Sequence, residues 1–170
     1  SADIVVYSHE HGDHNNVRAV KGNPQIVKGS GVKEAKGIQF KGIASFHDDT
    51  QGSQRGPNTI FCFTVDGMRL CHLGDLGHQL SADQLKEIGQ VDVLMSPIDA
   101  VVAKQVIEKI NPKVVIPMHF RNDKCLYPIA PVDDFLKGRA NVKRVDSSEV
   151  EFTKDKLPAT TETVVLKPSH

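Results

Sequence analysis

Three histidines and one aspartate lie within six residues near the start of the chain, in the order His9, His11, Asp13 and His14. Buried imidazoles and carboxylates each need a partner, so packing alone does not explain so dense a cluster. A divalent metal ion would satisfy all four groups at once. The spacing therefore predicts a metal site, and it favours this over a histidine-rich, solvent-exposed loop.

Other candidate ligands also follow predicted strands directly. His47 comes after an alternating strand, and Asp75 and His119 each lie just past an apolar run. Five imidazoles and two carboxylates suit two neighbouring divalent ions bridged by one carboxylate. The set contains no thiolate, so Zn²⁺, Mn²⁺ and Fe²⁺ are all compatible, with Zn²⁺ as the first choice. The predicted metal ligands are His9, His11, Asp13, His14, His47, Asp75 and His119.

The patterns around these residues predict the elements that position them. The predicted strands are 4–7, 24–28, 38–46, 59–65, 68–73, 91–95, 114–116, 142–145 and 163–167, and the predicted helices are 81–88, 99–110 and 133–137. Ser81 and Gln84 form a capping box, and Asp99 is the predicted cap of the second helix. The turn at Asp66-Gly67 sets the register of a hairpin that places Cys62 opposite Cys71.

Composition limits the classes of protein to which the chain can belong. At 170 residues, it is long enough for one domain over 1–170 with a real core. Lys+Arg and Asp+Glu balance at 21 each, so no global positive field exists to hold nucleic acid. There is no apolar stretch of membrane-spanning length, which argues against a membrane protein. The three cysteines have no framework spacing, which predicts free thiols in a reducing, cytoplasmic compartment.

The motif H-x-H-x-D-H at 9–14, followed by His47, Asp75 and His119, resembles the metallo-β-lactamase superfamily. The strings SHEHGDH, HLGDLGH and IPMHF are similar to those of predicted metal-dependent hydrolases related to the ascorbate-6-phosphate lactonases. The resemblance covers nearly the whole chain and implies an α/β fold, an αββα sandwich. It also implies that His9, His11 and His47 hold one metal, that Asp13, His14 and His119 hold the other, and that Asp75 bridges them.

Two features of the superfamily are missing from the sequence. Several strands usually precede the first motif, so we expect either an N-terminally truncated domain or segments that the given sequence omits. Similar proteins also have a glycine-rich loop after the segment that matches Ser96-Pro97, whereas here Ile98 leads straight into the predicted helix. For this loop we expect an omission.

The predicted reaction is hydrolysis of a small anionic ester, phosphodiester or lactone. A hydroxide that bridges the two ions would attack, and Asp13 or Asp75 would accept its proton. His78 would protonate the leaving group or orient a ligand, the alternative being a solvated loop histidine. Arg55, in the polar loop 48–58 that we predict to be exposed, would bind the substrate's anionic group, the alternative being a solvent-facing arginine.

The ligand pattern is also compatible with other functions. A di-iron redox protein of the same fold is one alternative, although the related branch usually has glutamate where this chain has His11 and needs a flavin domain. A nuclease would share the metal ligands, but the balanced charge makes nucleic acid an unfavourable partner. A metal-binding protein without turnover is another alternative, and homo-oligomer formation is left open. Hydrolysis of a small molecule is the preferred hypothesis.

Overall fold

The computed structural model describes residues 1–98, 102–123, 125 and 127–168. In chain order, its strands are β1 (Ile4–Tyr7), β2 (Gln25–Lys28), β3 (Gly31–Ala35), β4 (Ile38–Phe46), β5 (Pro57–Val65), β6 (Met68–His72), β7 (Val93–Pro97), β8 (Val114–Met118), β9 (Val142–Arg144) and β10 (Glu162–Val165). The helices are α1 (Ala82–Ile88), α2 (Ala103–Ile110) and α3 (Val132–Leu136). Short 3-10 turns lie at Val17–Ala19 and Lys154–Lys156.

The large sheet brings the ends of three strands to one edge. Its order is β3-β4-β5-β6-β7-β8-β10-β9, antiparallel from β3 to β6 and parallel from β6 onward. Because β4 and β6 both run antiparallel to β5, they run parallel to each other and to β8. The residues that follow these three strands, among them His47, Asp75 and His119, therefore emerge at the same edge.

Strand alternation divides the core between the two faces of this sheet. One face packs against the helices: Ile60 and Leu94 of the sheet are buried in one cluster with Val106 of α2. On the opposite face, Phe40 and Phe61 pack under the separate parallel pair β1-β2. The layers are thus helices, a large sheet and a small sheet, which confirms the predicted α/β class.

Local sequence rules predicted the hairpin and the first helix correctly. Val65 pairs with Met68, and Cys62 pairs with Cys71, with the two sulfur atoms 3.5 Å apart. Both thiols are buried and free. The capping box of α1 is present, with Ser81 at the N-cap.

Several predicted boundaries differ from the structure. Strand β3 was not among the predicted strands, and all four residues of β1 are half-buried. Helix α2 begins at Ala103, and the predicted cap Asp99 lies outside the described residues. The stretch 48–58 is not uniformly exposed: β5 begins at Pro57, and Asp48 is 7% exposed. Among the described residues, no helix is long and apolar enough to cross a membrane.

Candidate metal centre

One carboxylate oxygen lies at the centre of the predicted ligands. Asp75 follows β6 and is 6% exposed. Four imidazoles direct their Nε2 atoms at its Oδ2 atom, at 3.6 Å from His9, 3.5 Å from His14, 3.4 Å from His47 and 3.6 Å from His119. The fold thus brings together side chains that are up to 110 positions apart in the sequence, from 9 to 119.

These separations fit shared metal ligands better than hydrogen bonds. An N–H···O bond spans about 2.7–3.2 Å, whereas two ligand atoms on a tetrahedral zinc, each about 2.0–2.1 Å from the ion, lie roughly 3.3–3.5 Å apart. The buried His9 Nε2 atom also has no hydrogen-bond partner. Such an atom is costly unless something binds it. The residues therefore fit a divalent ion.

Within the described part of the chain, two overlapping groups of ligand atoms are compact enough to hold an ion. His9, His11 and His47 form one group, and His9, His14 and Asp75 form the other, with the atoms of each group within 4.8 Å of one another. The rings of His11 and His47 are 5.0 Å apart, centroid to centroid. The structure thus brings His11 to the same cluster as the four imidazoles around Asp75.

The predicted ligands differ in their access to solvent. Six of them line a cavity of about 790 Å³, and His9 lies beneath it at 5% exposure. Asp13 is exposed, and its Oδ2 atom lies 3.6 Å from His14 Nε2. The six ligands on the cavity wall are His11, Asp13, His14, His47, Asp75 and His119.

His9 is held in the neutral form that a metal requires. Burial, opposed by Asp75 and reinforced by the neighbouring imidazoles, lowers the pKa of His9 to about 4. The hydroxyl of Ser8 lies 2.8 Å from His9 Nδ1 and orients the ring. Its Nε2 atom therefore points at Asp75.

Asn58 fixes the backbone at Asp75. This amide is 2% exposed, and its Oδ1 atom accepts the N–H of Asp75 at 3.0 Å. Its Nδ2 atom donates to Ser45 Oγ at 2.8 Å and to the carbonyl of Leu73 at 2.9 Å. The ends of β4, β5 and β6 are thereby joined at the aspartate. Sequence reasoning missed Asn58, because nothing local distinguishes it from other loop asparagines.

Two glycines allow the loop around Asp75 to approach its neighbours. Gly74 has a φ of +61°, and a Cβ atom there would lie 2.2 Å from Asn58 Oδ1. A Cβ atom at Gly77 would lie 2.4 Å from the carbonyl oxygen of His47. Glycine at these two positions therefore lets the loop lie close to Asn58 and to the backbone of His47.

His119 has a backbone conformation that is uncommon outside glycine. Its φ is +56°, directly after the end of β8. A left-handed conformation at a residue with a Cβ atom costs energy, and such residues persist where the surrounding structure enforces them. This strain coincides with a predicted metal ligand.

Asp48 organises the loop that follows His47. Its carboxylate accepts five hydrogen bonds, from the backbone N–H groups of Thr50, Gly52, Gln54 and Arg55 and from the Thr50 hydroxyl. Burial on its own would raise the pKa of Asp48, but these bonds outweigh it and hold the pKa well below its usual value. Sequence reasoning missed this role, although an aspartate ahead of a Thr- and Gly-containing turn is a signal for such bonding.

The predicted anion ligand Arg55 reaches the cavity wall through this loop. Its side chain is exposed and lines the cavity, as does Gln54. Its backbone N–H donates to Asp48 Oδ2 at 2.7 Å. The structure therefore brings Arg55 to the predicted site, and its role there stays a prediction.

His78 is not among the residues that line this cavity. Its Nε2 atom accepts the N–H of Phe46 at 3.1 Å, and its Nδ1 atom lies 2.8 Å from the carbonyl oxygen of Gln79. Both ring nitrogens are thus engaged by backbone groups. The predicted role of His78 as a proton donor stays a prediction.

Glu10 and His72 lie beside the proposed ligands and bond to neighbouring segments. Glu10 points away from the cluster and is 3.5 Å from Lys28 Nζ. The Nδ1 atom of His72 accepts the N–H of Gly74 at 3.0 Å, and burial lowers the pKa of this histidine. Glu10 supports the surface around β1, and His72 supports the backbone next to Asp75.

Comparisons with known proteins agree with this geometry. Residues 1–119 match the family model described as "Beta-lactamase superfamily domain". A protein from Archaeoglobus fulgidus named as a metal-dependent hydrolase is 28% identical in an alignment that covers 80% of this chain and 73% of the relative. One from Pelotomaculum thermopropionicum with the same name is 24% identical in an alignment that covers 89% of this chain and 79% of the relative.

A solved structure is similar over almost the whole chain. It is a Thermotoga maritima protein assigned to the Zn-dependent hydrolases of the metallo-beta-lactamase superfamily, with a TM-score of 0.80 and 35% identity. The match covers 97% of this chain and 81% of the other. The family model, the relatives and the solved structure therefore all indicate the same superfamily.

Proposed function

Since this chain belongs to the beta-lactamase superfamily and is a metal-dependent hydrolase, we propose that it binds two divalent ions, preferably Zn²⁺, and cleaves a small anionic ester, phosphodiester or lactone. One observation carries the proposal. The Oδ2 atom of Asp75 lies 3.4–3.6 Å from four imidazole nitrogens that come from four separate segments of the chain. A carboxylate surrounded in this way is placed to be shared between two ions.

The ligands would divide as the resemblance to the superfamily implies. His9, His11 and His47 would hold the first ion, and Asp13, His14 and His119 the second, with Asp75 common to both. The compact group of His9, His11 and His47 supports the first assignment. The contact of His14 with both Asp13 and Asp75 supports the second.

The bound ions would supply Lewis acidity and a water of lowered pKa as nucleophile. The chain's own residues orient the reaction around them. Asp75 fixes the position of the site, because its backbone is anchored by Asn58 and its side chain is buried. Asp13, which is exposed on the cavity wall, offers its Oδ2 atom as the proton acceptor.

The rest of the cavity favours a small molecule with a negative charge. Arg55 supplies a cation on one wall, and Tyr127 and Ile129 supply a more apolar wall. A cavity of about 790 Å³ is of the size that encloses a small substrate. The balance of 21 basic and 21 acidic residues argues against a polyanion as the substrate.

The test combines metal analysis with a substrate panel. Protein purified without chelator is analysed for its elements and assayed on phosphodiesters, lactones, carboxylic esters and single-stranded DNA, before and after dialysis against EDTA. We expect zinc in the protein and hydrolysis of a small anionic substrate that EDTA abolishes and Zn²⁺ restores. Iron with a redox response and no hydrolysis would favour the di-iron alternative, and DNA cleavage would favour the nuclease.

A further inference from the structure

Two histidines outside the proposed ligand set flank Asp75 in the sequence. His72 lies three residues before it and His78 three residues after it. Each accepts a hydrogen bond from a backbone N–H, but through a different ring nitrogen. This difference makes their roles testable separately.

His78 joins the loop that follows Asp75 to the end of β4. The carbonyl oxygen of Gln79 can only accept, so the proton lies on Nδ1 of His78, and Nε2 carries the lone pair that accepts the N–H of Phe46 at 3.1 Å. Beside this bond, the N–H of Gly77 donates to the carbonyl of Phe46 at 3.0 Å. The two bonds form a clasp across the Phe46 backbone, with the imidazole in the place of a backbone carbonyl.

The clasp lies directly beside two proposed ligands. Phe46 precedes His47, whose Nε2 atom is 3.4 Å from Asp75 Oδ2. Gly77 is packed so tightly there that a Cβ atom would lie 2.6 Å from the backbone nitrogen of Asp48. A shift of the Phe46 backbone would therefore move His47 relative to Asp75.

His72 secures the other side of the same loop. Its Nδ1 atom accepts the N–H of Gly74, the residue before Asp75, at 3.0 Å. Gly74 in turn contacts Asn58, the anchor of the Asp75 backbone. The loop is thus held on both sides of the aspartate by neutral imidazole acceptors.

We infer that His78 and His72 are positioning residues, which fix the Asp75 loop against the His47 segment by accepting backbone hydrogen bonds at Nε2 and Nδ1 respectively. The hydrogen bonds themselves support this inference. Its effect on metal binding rests on the proposed function. It assigns His78 a role different from the general acid that the sequence suggested.

The two nitrogens predict opposite rescue by amides. The Oε1 atom of glutamine is as far along the side chain as Nε2, and the Oδ1 atom of asparagine is as far along as Nδ1. His78→Gln therefore keeps the acceptor, and His78→Asn loses it. At the other position, His72→Asn keeps the acceptor, and His72→Gln loses it. Each variant serves as the matched control for the other at the same position.

Amide hydrogen exchange of the metal-free protein measures directly whether the Phe46 and Gly74 amides are hydrogen-bonded. We expect the Phe46 amide to exchange about tenfold faster in His78→Asn than in wild type, and to be protected again in His78→Gln. For the Gly74 amide, we expect the same acceleration in His72→Gln and protection in His72→Asn. Equal exchange in both variants at each position would overturn the inference.

Measurements of Zn²⁺ affinity show whether losing the hydrogen bond disturbs the metal site. In competition with a chromophoric chelator, we expect wild type and His78→Gln to bind Zn²⁺ similarly and His78→Asn to bind about 10–100-fold more weakly. If wild type binds no Zn²⁺, the proposed function fails, while the exchange data still decide the inference. If the Phe46 amide exchanges at the wild-type rate in both His78 variants, while both variants selectively lose the cleavage of substrates with poor leaving groups, His78 is a proton donor and the positioning assignment is wrong.

Discussion

The loops 9–14 and 73–78 both carry proposed metal ligands, but they are built in different ways. His11, Gly12 and Asp13 are exposed, whereas 73–76 are buried. In the first loop, His14 and Asn15 donate backbone bonds to the carbonyl of His11, within the same segment. In the second loop, backbone N–H groups donate to residues of β4, β5 and β7. The conspicuous motif is thus locally folded, and the inconspicuous loop is fixed by the sheet.

This difference suggests that the two loops have different roles in the metal site. A site needs at least one ligand whose position does not depend on the metal, because preorganisation removes the cost of ordering it at binding. Asp75 has that property through Asn58 and the two glycines. The exposed part of loop 9–14 can then complete the coordination and meet the substrate. Substitutions in the two loops should therefore have unequal effects.

The largest expected difference lies between the two carboxylates. Asp75→Asn should weaken the binding of both ions by more than about 100-fold and abolish activity, because it removes the charge that four imidazoles surround. Asp13→Asn should weaken only one ion. Titration of each metal-free variant with Zn²⁺ checks this. Equal losses in the two variants would break the distinction between the loops.

A matched pair of glycines tests the same contrast in the fold. Gly74→Ala should destabilise the metal-free protein by about 3 kcal/mol, because its Cβ atom would lie 2.2 Å from Asn58 Oδ1 at a positive φ. Gly12→Ala should change the stability by less than about 0.5 kcal/mol, since no atom lies within 4 Å of the added Cβ. Urea denaturation measures both values, and a destabilisation at Gly12 as large as that at Gly74 would contradict the account.

The loop after His47 should respond to acid through Asp48. Its pKa lies well below the usual value in the folded protein, so its ionised form stabilises the fold above the ordinary carboxyl pKa. That contribution is lost as the pH falls below about 4. Asp48→Asn should therefore lower the melting temperature by several degrees at pH 7, and by progressively less as the pH falls.

The neighbouring Asp49 provides the control, because it is exposed and lines the same cavity. Asp49→Asn should melt like wild type at each pH. A constant gap between wild type and Asp48→Asn from pH 7 to acid would show that the hydrogen-bonded carboxylate is not the source of the stability.

The smallest effect is expected at Arg55. Losing a charged contact that is made equally in the ground state and the transition state should raise KM about tenfold with little change in kcat and with metal content intact. Arg18→Ala, in the exposed turn Val17–Ala19, is the control. Steady-state kinetics on the anionic substrate distinguishes them, and a fall in kcat at constant KM would assign Arg55 to the reaction itself.

Sequence reasoning succeeded where the signal is local. The dense motif at 9–14 indicated a metal, the Asp66-Gly67 turn fixed the pairing of Cys62 with Cys71, and Ser81 capped its helix as predicted. It failed at β3, whose residues Gly31–Ala35 have no clear alternation and are flanked by glycines. Strand pairing with β4, which the local pattern does not encode, creates that strand.

One supporting residue of the site was beyond local rules, and another was not. Asn58 looks like an ordinary residue of a polar loop, and only the fold shows that it is buried and bonded to several groups. Asp48 bonds within its own loop, and the Thr and Gly residues that follow it are a local signal for this bonding. The position of His78 three residues after Asp75 indicated that the two are close but not the direction of the His78 ring. For Asn58 and His78, hydrogen bonds to segments distant in sequence decide the role.

If Asp75 serves two metal ions, the number of ions bound per chain must show it. Elemental analysis of protein purified without chelator is combined with calorimetric titration of the metal-free protein with Zn²⁺. We expect two zinc ions per chain in the wild type, and we expect both to be lost together in Asp75→Asn. A single ion in the wild type, with no second site on titration, would contradict it.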